Sequence, residues 1–520
     1  MRFNWIIFLG ISALMAGCTH TVSAPSNNDE SSPESSSAKK ASSSSKKATS
    51  SSSKSDNITS SEAGELDEDC AGEPGNAWDG TTAKIFACGA GTKLSPYIIL
   101  TAEQLAKLSF IVGANETEYQ GKYYKLGADI ILNEGKIIDD KGALVADSTK
   151  LHKWTPIGNS SVAFTGNFDG DGHTVSGMFI NTTSTHNGLF GNSSGTVQNL
   201  TVENSWVQGG NATAGIIGNL VANGSIKNAT NKASVIGEGN VAGGVVGIYD
   251  NGCCKNEGSI ENAENYGILI GSKTVGGILG SGNTIKIIDT RNFAEITGKS
   301  ATGGIVGSLG TNSTLERAKN TGKIIGKEMT AGIAGYLGYP YSCSKKSTTL
   351  KNAENTGSIE GEKFTAGVVG KNECSLNTII VNKANIIGAD YTSGILGYVN
   401  NSSTESAYNV GDVFGTRYVG GIAGYNEVGV SQSIYSTGKV DGDSLVGLMI
   451  GYNYNTTMAD YYYLEQGEQE PFGLNNGGGV ATPKTSDEMK SEDFAKLLGD
   501  EFVYDSELND GYPILKWEEE

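Results

Sequence analysis

The feature that most constrains this chain is a Gly-x-x-Gly step written ten times between Gly188 and Gly451. It reads GLFG at Gly188, GIIG at Gly215, GVVG at Gly244, GILG at Gly277, GIVG at Gly304, GIAG at Gly332, GVVG at Gly367, GILG at Gly394, GIAG at Gly421 and a stretched GLMIG at Gly447. Successive first glycines lie 27, 29, 33, 27, 28, 35, 27, 27 and 26 residues apart. A fixed period of this size marks supersecondary units stacked on one another. Between steps comes Asn-x-Gly/Ala-x-aliphatic-x-Gly, as in Asn265, Gly267, Leu269, Gly271. After the Asn, every second residue is small or aliphatic, the period of a strand and not of a helix. Glycine supplies the corners, since without Cβ it turns sharply at no steric cost. Three short strands and three corners per 27-residue unit predict a parallel β-helix of about ten coils. At a strand spacing of about 4.8 Å, that is a rod roughly 45 Å long.

Two columns of like residues follow from stacking such units in register. Val235, Leu269, Ile296, Ile324, Ile359, Ile386, Val413 and Val440 fall at one position and form an apolar column. Each such side chain contributes on the order of 1.5 to 3 kcal/mol on burial, before chain entropy is subtracted. Asn231, Asn265, Asn292, Asn320, Asn355, Asn382 and Asn409, with Ser436 last, fall on the inward parity. Their amides would be costly there unless each bonds to the Asn of the next coil, as in other stacked ladders.

The start of the chain has a different character. Arg2 precedes an apolar run from Trp5 to Met15, and then Ala16, Gly17 and Cys18. This predicts a secretory signal over residues 1–17, too short to remain as a spanning helix. Leu14 to Cys18 resembles a bacterial lipobox, which implies that Cys18 becomes an acylated N-terminus, although Met15 stands where Leu is commoner. Residues 18–66 are dominated by Ser with Lys and Ala, so they have little to bury and predict a disordered tether. The net charge of -19, with basic clusters only in the tether, argues against a nucleic-acid partner.

Residues 67–187 read as an N-terminal cap with irregular first coils. Thr101 and Gln104 form a capping box before an amphipathic helix to about Val112, suited to covering an open first coil. The segments WDGTTA, SPYIILTAEQLAKLS, YYKLGADIIL, WTPIG and FTGNFDGDGHTVSG, together with the Gly-Leu-x-Gly step at Gly188, resemble bacterial cell-surface proteins carrying GLUG-motif repeats. ATPKTSDEMKS and NDGYPILKW near the end are similar to that family's closing segment, so the resemblance spans roughly residues 76–517. It implies a right-handed parallel β-helix on the cell surface. The family also occurs beside metallopeptidases that cleave immunoglobulin A, where the repeat region is not the protease.

Besides Cys18 there are Cys70, Cys88, Cys253, Cys254, Cys343 and Cys374, an even number, which in an exported chain points to disulfides. Cys70 pairs locally with Cys88, and Cys343 with Cys374 one coil apart. Cys253 and Cys254 are either a vicinal disulfide or two thiols. No CxxC spacing supports a metal site, and no cofactor is expected. The two long units carry their extra residues after the same step, around Asn251–Asn256 and Tyr339–Thr349, which predicts insertions on one face.

Evidence for chemistry is thin. Asp169, Asp171 and His173 sit in FDGDGH, a tight-turn pattern, and the few histidines form no HExxH or Ser-His arrangement. The sequence therefore leans away from an enzyme. Tyrosines are more informative. Tyr398, Tyr425 and Tyr452 recur at 27-residue intervals directly after the step, and Tyr408, Tyr435 and Tyr462 form a second such series. Tyr408 and Tyr435 should point outward. Such rows would either stack on sugar rings, with hydroxyls reaching glycan edges, or simply stiffen the last coils. Residues 452–520 read as a C-terminal cap: a capping box at Thr485 and Glu488, a helix with Met489, Phe494, Leu497 and Leu498 on its apolar side, and a last strand in GYPILKW. The expectation is a monomeric, lipid-anchored module at the outer membrane surface, binding a glycan or a cell-surface partner. A carbohydrate-active enzyme and a structural spacer are the alternatives.

Overall fold

The structure, a computed structural model, describes residues 70–251, 257–338 and 348–519. The expected signal, tether and lipidated Cys18 lie outside the described residues, as do Cys253, Cys254 and Cys343 and most of both insertions.

One coil shows how the sequence sets the geometry. Thr274–Gly276 runs into the GILG step, Leu279–Gly282 leaves it, Ile285–Asn292 follows, and Ile296–Thr297 closes the coil. Each segment pairs in parallel with its counterparts in the neighbouring coils. Val275 faces Ala242 and Thr302, and Leu279 faces Val246 and Val306. Ile287 faces Ile260 and Leu315, and Ile296 faces Leu269 and Ile324. The fold is the expected parallel β-solenoid, but this coil holds four short strands where three were predicted, and in other coils some of these run together, as in Leu396–Asn409. The additional strand, before the step, is two to four residues long and belongs to a separate nine-stranded sheet. So short an alternation, ending in glycine, reads as part of the corner.

The ladder containing Ile287 runs through Tyr97, Tyr124, Phe168, Val197, Ile226 and Ile260, and onward through Leu315, Leu350, Asn377, Thr404, Ser431 and Met458. The solenoid thus has about 13 turns. Its first rungs, Tyr97–Ile99, Tyr123–Leu126 and Asn167–Asp169, lack the glycine step, so counting steps gives only the regular coils.

The Asn column forms the predicted ladder. From Asn231 to Asn409 each Nδ2 donates to the Oδ1 of the Asn one coil on, at 2.8 Å in every link. The same Nδ2 also donates to the carbonyl two residues ahead, so both amide protons are used. From Gly215 to Gly394 the first glycine of the step leaves room for this ladder and for the neighbouring backbone: a Cβ on Gly277 would lie 2.1 Å from the Gly304 carbonyl and 2.7 Å from Asn292 Oδ1, and one on Gly244 2.1 Å from the Gly277 carbonyl and 2.5 Å from Asn265 Oδ1. The two phrases of the repeat are thus one packing unit.

At the N-terminal end, helix α1 (Ala102–Gly113) carries the predicted capping box at Thr101 and Gln104. Its Leu105, Leu108 and Ile111 bury in the same core as Tyr124, Leu126 and Phe164 of the first coils. Cys70 and Cys88 form the expected disulfide beside it. Cys374 is also disulfide-bonded, and Cys343, its expected partner, lies outside the described residues. At the other end, α2 (Ser486–Met489), with its capping box at Thr485 and Glu488, and α3 (Glu492–Leu498) lie along the flank of the coils. Met489, Phe494, Leu498, Leu515 and Trp517 bury against Val381, Tyr408, Tyr435 and Tyr462. This contact reaches back to Lys319, whose ammonium lies 4.7 Å from the Trp517 ring centre. Phe472–Asn475 and Thr482–Lys484 pair with the final coil and cover its tip.

Candidate ligand-binding surface

The two tyrosine series have different fates. Tyr408 and Tyr435 leave the solenoid core as their parity requires, yet each is 0% exposed. The C-terminal segment covers them: Tyr408 Oη donates to the Glu518 carboxylate at 2.9 Å, and Tyr435 Oη donates to the Pro513 carbonyl. Burial pushes both phenols well above their ordinary pKa. These two rings, expected as part of a glycan-facing row, present no face to solvent, because parity says only that a side chain leaves the core and not what covers it.

Tyr398, Tyr425 and Tyr452 remain half-buried on the open flank, in register in the strand after the step. A second row, which the sequence reading missed, stands beside them in the strand before the step: Phe364, Tyr391 and Tyr418. The step folds the chain between the two rows, so Tyr391 and Tyr398 flank Gly394–Gly397, and Tyr418 and Tyr425 flank Gly421–Gly424. The missed signal was an aromatic residue three positions before the step, paired with the Tyr directly after it.

The new row has an unusual backbone. Phe364, Tyr391 and Tyr418 have φ of 52°, 60° and 58°, and Met329 and Leu445 continue the column at 42° and 54°. For residues with a bulky side chain this left-handed region costs about 1 to 2 kcal/mol each, because Cβ crowds the following carbonyl. A second positive-φ column holds Asn199, Asn228, Asn262, Asp289 and Asn352, and also Arg317, Ile379, Ser406 and Ser433. Asn228 and Asn262 there donate to the Asn one coil back at 2.7 and 2.9 Å. Asn or Asp fills 13 of the 27 non-glycine left-handed positions among the described residues, and the column from Met329 to Leu445 contains neither.

Within the patch the rings stack along the rod. Phe364, Tyr391 and Tyr418 are spaced 4.8 Å centre to centre with interplanar angles of 29° and 15°. Tyr398 and Tyr425 stack at 5.6 Å, and Tyr391 meets Tyr425 edge-on at 5.9 Å. Arg417 lies 4.8 Å from the centre of the Tyr418 ring, and Lys363 4.7 Å from that of Phe364. Burial, joined by the Glu427 charge, pushes the Tyr425 phenol up to about 12. Burial raises Tyr391 as well, and burial plus a hydrogen bond to Glu427 raises Tyr398. The raised phenols stay protonated at neutral pH and are able to donate hydrogen bonds.

The FDGDGH segment is a turn. Asp169 accepts hydrogen bonds from the Asp171 backbone, Gln198 and Asn199 at 2.8 to 2.9 Å, and Asp171 pairs with Lys125 at 2.9 Å. Among the described residues no group of three or more His, Cys, Asp and Glu is arranged to hold a metal. Acidic side chains on successive coils sit opposite bases: Glu264 faces Arg291, Lys319 faces Glu354, and Glu328, Lys363, Asp390 and Arg417 alternate in sign up one column. Among the described residues no helix is long and apolar enough to cross a membrane.

No protein-family model matches the chain. A protein of Evansella cellulosilytica provisionally described as a Gly-rich membrane protein is 32% identical over 144 residues, 27% of this chain and 15% of that protein. The halomucin of Haloquadratum walsbyi is 34% identical over 139 residues, 26% of this chain and 1% of that protein. The chain thus spans only a small part of the length of either relative. Among solved structures, one from Bacteroides ovatus provisionally assigned as an immunoglobulin A1 protease is similar with a TM-score of 0.34 and 17% identity, covering 83% of this chain and 95% of that one.

Proposed function

We propose that this protein is a non-catalytic adhesion module, held at the outer membrane surface by a lipid on Cys18 and contacting glycans of a cell surface through the aromatic flank. The observation that carries the reading is the double row of half-buried rings, Phe364, Tyr391 and Tyr418 beside Tyr398, Tyr425 and Tyr452, on one flank of the coils. The left-handed backbone of Phe364, Tyr391 and Tyr418, strained for bulky side chains, accords with a role beyond stability. The pairing of acids with bases across coils supports binding over glycoside or uronide chemistry, which needs two carboxylates flanking one bond. The LMAGC segment supports the anchor, with the Ser-rich stretch after it as a spacer. The two relatives, described as a membrane protein and a halomucin, accord with a surface location.

The face-to-face stacking also favours a second reading, in which the rings only stiffen the last coils. Replacing both Tyr391 and Tyr418 with Asn separates the two. As a binding module, the full chain loses retention on insoluble polysaccharides and glycan arrays while its fold persists. If retention is unchanged, or a reducing-sugar assay detects turnover, the adhesion reading fails.

A further inference from the structure

Resting on that reading and deepening it, we propose that the flank takes an uncharged, extended polysaccharide lying parallel to the rod axis, read by phenolic hydroxyls and ring edges and not by ring faces.

The orientation of the rings carries the first part. A ring is wider than one coil spacing, so parallel rings only 4.8 Å apart along the axis must cover one another's faces. Lys363 and Arg417 lie over Phe364 and Tyr418 and cover more of that surface. What reaches solvent is a column of edges and hydroxyls. Tyr398 Oη already donates to Glu427, and Tyr452 Oη accepts from Asn476 at 2.9 Å. Tyr391 and Tyr418 have no side-chain partner for Oη among the described residues.

Charge carries the second part. Beside the rings, Glu328, Lys363, Asp390 and Arg417 stand in register with alternating sign, and Lys371 pairs with Glu373 at 3.2 Å. With Glu427 beside Tyr398 the acids outnumber the bases by one, so an anionic polymer finds no surplus of positive charge here. A polyhydroxylated neutral chain meets donors and acceptors in alternation.

Spacing carries the third. From Phe364 to Tyr452 the patch spans four coils, about 15 Å at the strand spacing. A pyranose unit in an extended chain advances by nearly one coil, so successive sugars meet equivalent side chains.

The test uses the full chain and isothermal titration with β-1,4-linked gluco- and N-acetylgluco-oligosaccharides, from disaccharide to hexasaccharide, beside oligogalacturonates of the same lengths. Affinity for an uncharged series is expected to climb to about the tetrasaccharide and then level off. The double variant Y391F/Y418F keeps both rings in the stack and removes only the hydroxyls. It should weaken binding by about ten- to thirtyfold, the loss of one to two neutral hydrogen bonds. Unchanged affinity in that variant, or full affinity already at the disaccharide, overturns the proposal. Tighter binding of oligogalacturonates overturns the charge assignment and leaves the adhesion reading standing. The same holds if no uncharged series binds while another glycan is retained and lost on Tyr391→Asn with Tyr418→Asn. No retention on any glycan overturns both.

Discussion

Replacing Asn320 with Ala removes the middle of the buried amide ladder, and the cost follows from its bonds. Asn320 Nδ2 donates to the Gly322 carbonyl at 2.9 Å and to Asn355 Oδ1 at 2.8 Å, while its own Oδ1 accepts from Asn292 Nδ2 at 2.8 Å. All three ladder residues are 0% exposed, so water does not reach the groups left behind in the intact coil. Leaving a buried polar group without its partner costs about 1 to 3 kcal/mol. Asn292 Nδ2 keeps its bond to the Ala294 carbonyl, while Asn355 Oδ1 and the Gly322 carbonyl each lose the bond from Asn320, which places the total at about 3 to 5 kcal/mol. In a solenoid this loss is local, because each coil contacts only its neighbours. Hydrogen exchange read by mass spectrometry should therefore accelerate at least a hundredfold in Ile285–Asn292, Thr314–Asn320 and Thr348–Asn355, and stay unchanged in Tyr123–Leu126. Lys286→Ala, an exposed change on the neighbouring coil, should stay within about 0.5 kcal/mol. If Asn320→Ala exchanges no faster than Lys286→Ala, the amides are passengers in an apolar stack. An acceleration spread evenly over all coils would refute the nearest-neighbour account.

Three further outcomes are expected. Gly277→Ala places a Cβ 2.7 Å from Asn292 Oδ1 and against the Gly304 carbonyl, and should destabilise its coil by about 1 to 3 kcal/mol, visible as local exchange in Leu279–Gly282. Tyr435→Ala removes a fully buried ring that packs on Phe494 at 5.8 Å, at a cost of about 3 to 5 kcal/mol, and limited proteolysis should then cut residues 486–519 well before the coils. The Tyr425 phenol is held up at about 12 from an ordinary 10.0, so the folded state binds its proton more tightly than the unfolded chain does. Its stabilisation is fully present below about pH 10 and is lost as pH rises from there through 12. Ultraviolet titration of phenolate should show Tyr425 ionising only near that upper limit, and Tyr425→Phe should flatten the alkaline fall in stability.

Period, parallel register, the aliphatic column and the Asn ladder were legible from the chain alone. A solenoid brings residues one period apart into direct contact, so a column in the sequence is already a list of neighbours in space. Asn231 through Asn409 could be placed inward and bonded to one another on parity and the cost of burying an amide. The candidate surface was half legible. Tyr398, Tyr425 and Tyr452 recur after the step, but their partners Phe364, Tyr391 and Tyr418 lie before it, in a strand too short for its alternation to be recognised.

What only the tertiary structure decided depends on contacts that no period encodes. Glu518 reaches Tyr408 across 110 residues of chain, and that return of the C-terminal segment turned one expected outer row into a second core. Nor does parity fix how a ring tilts once it leaves the sheet. Stacking at one coil spacing, together with a left-handed backbone at Tyr391 and Tyr418, set the flank to present edges and hydroxyls, because neighbouring rings gain more by covering each other than by lying flat in water.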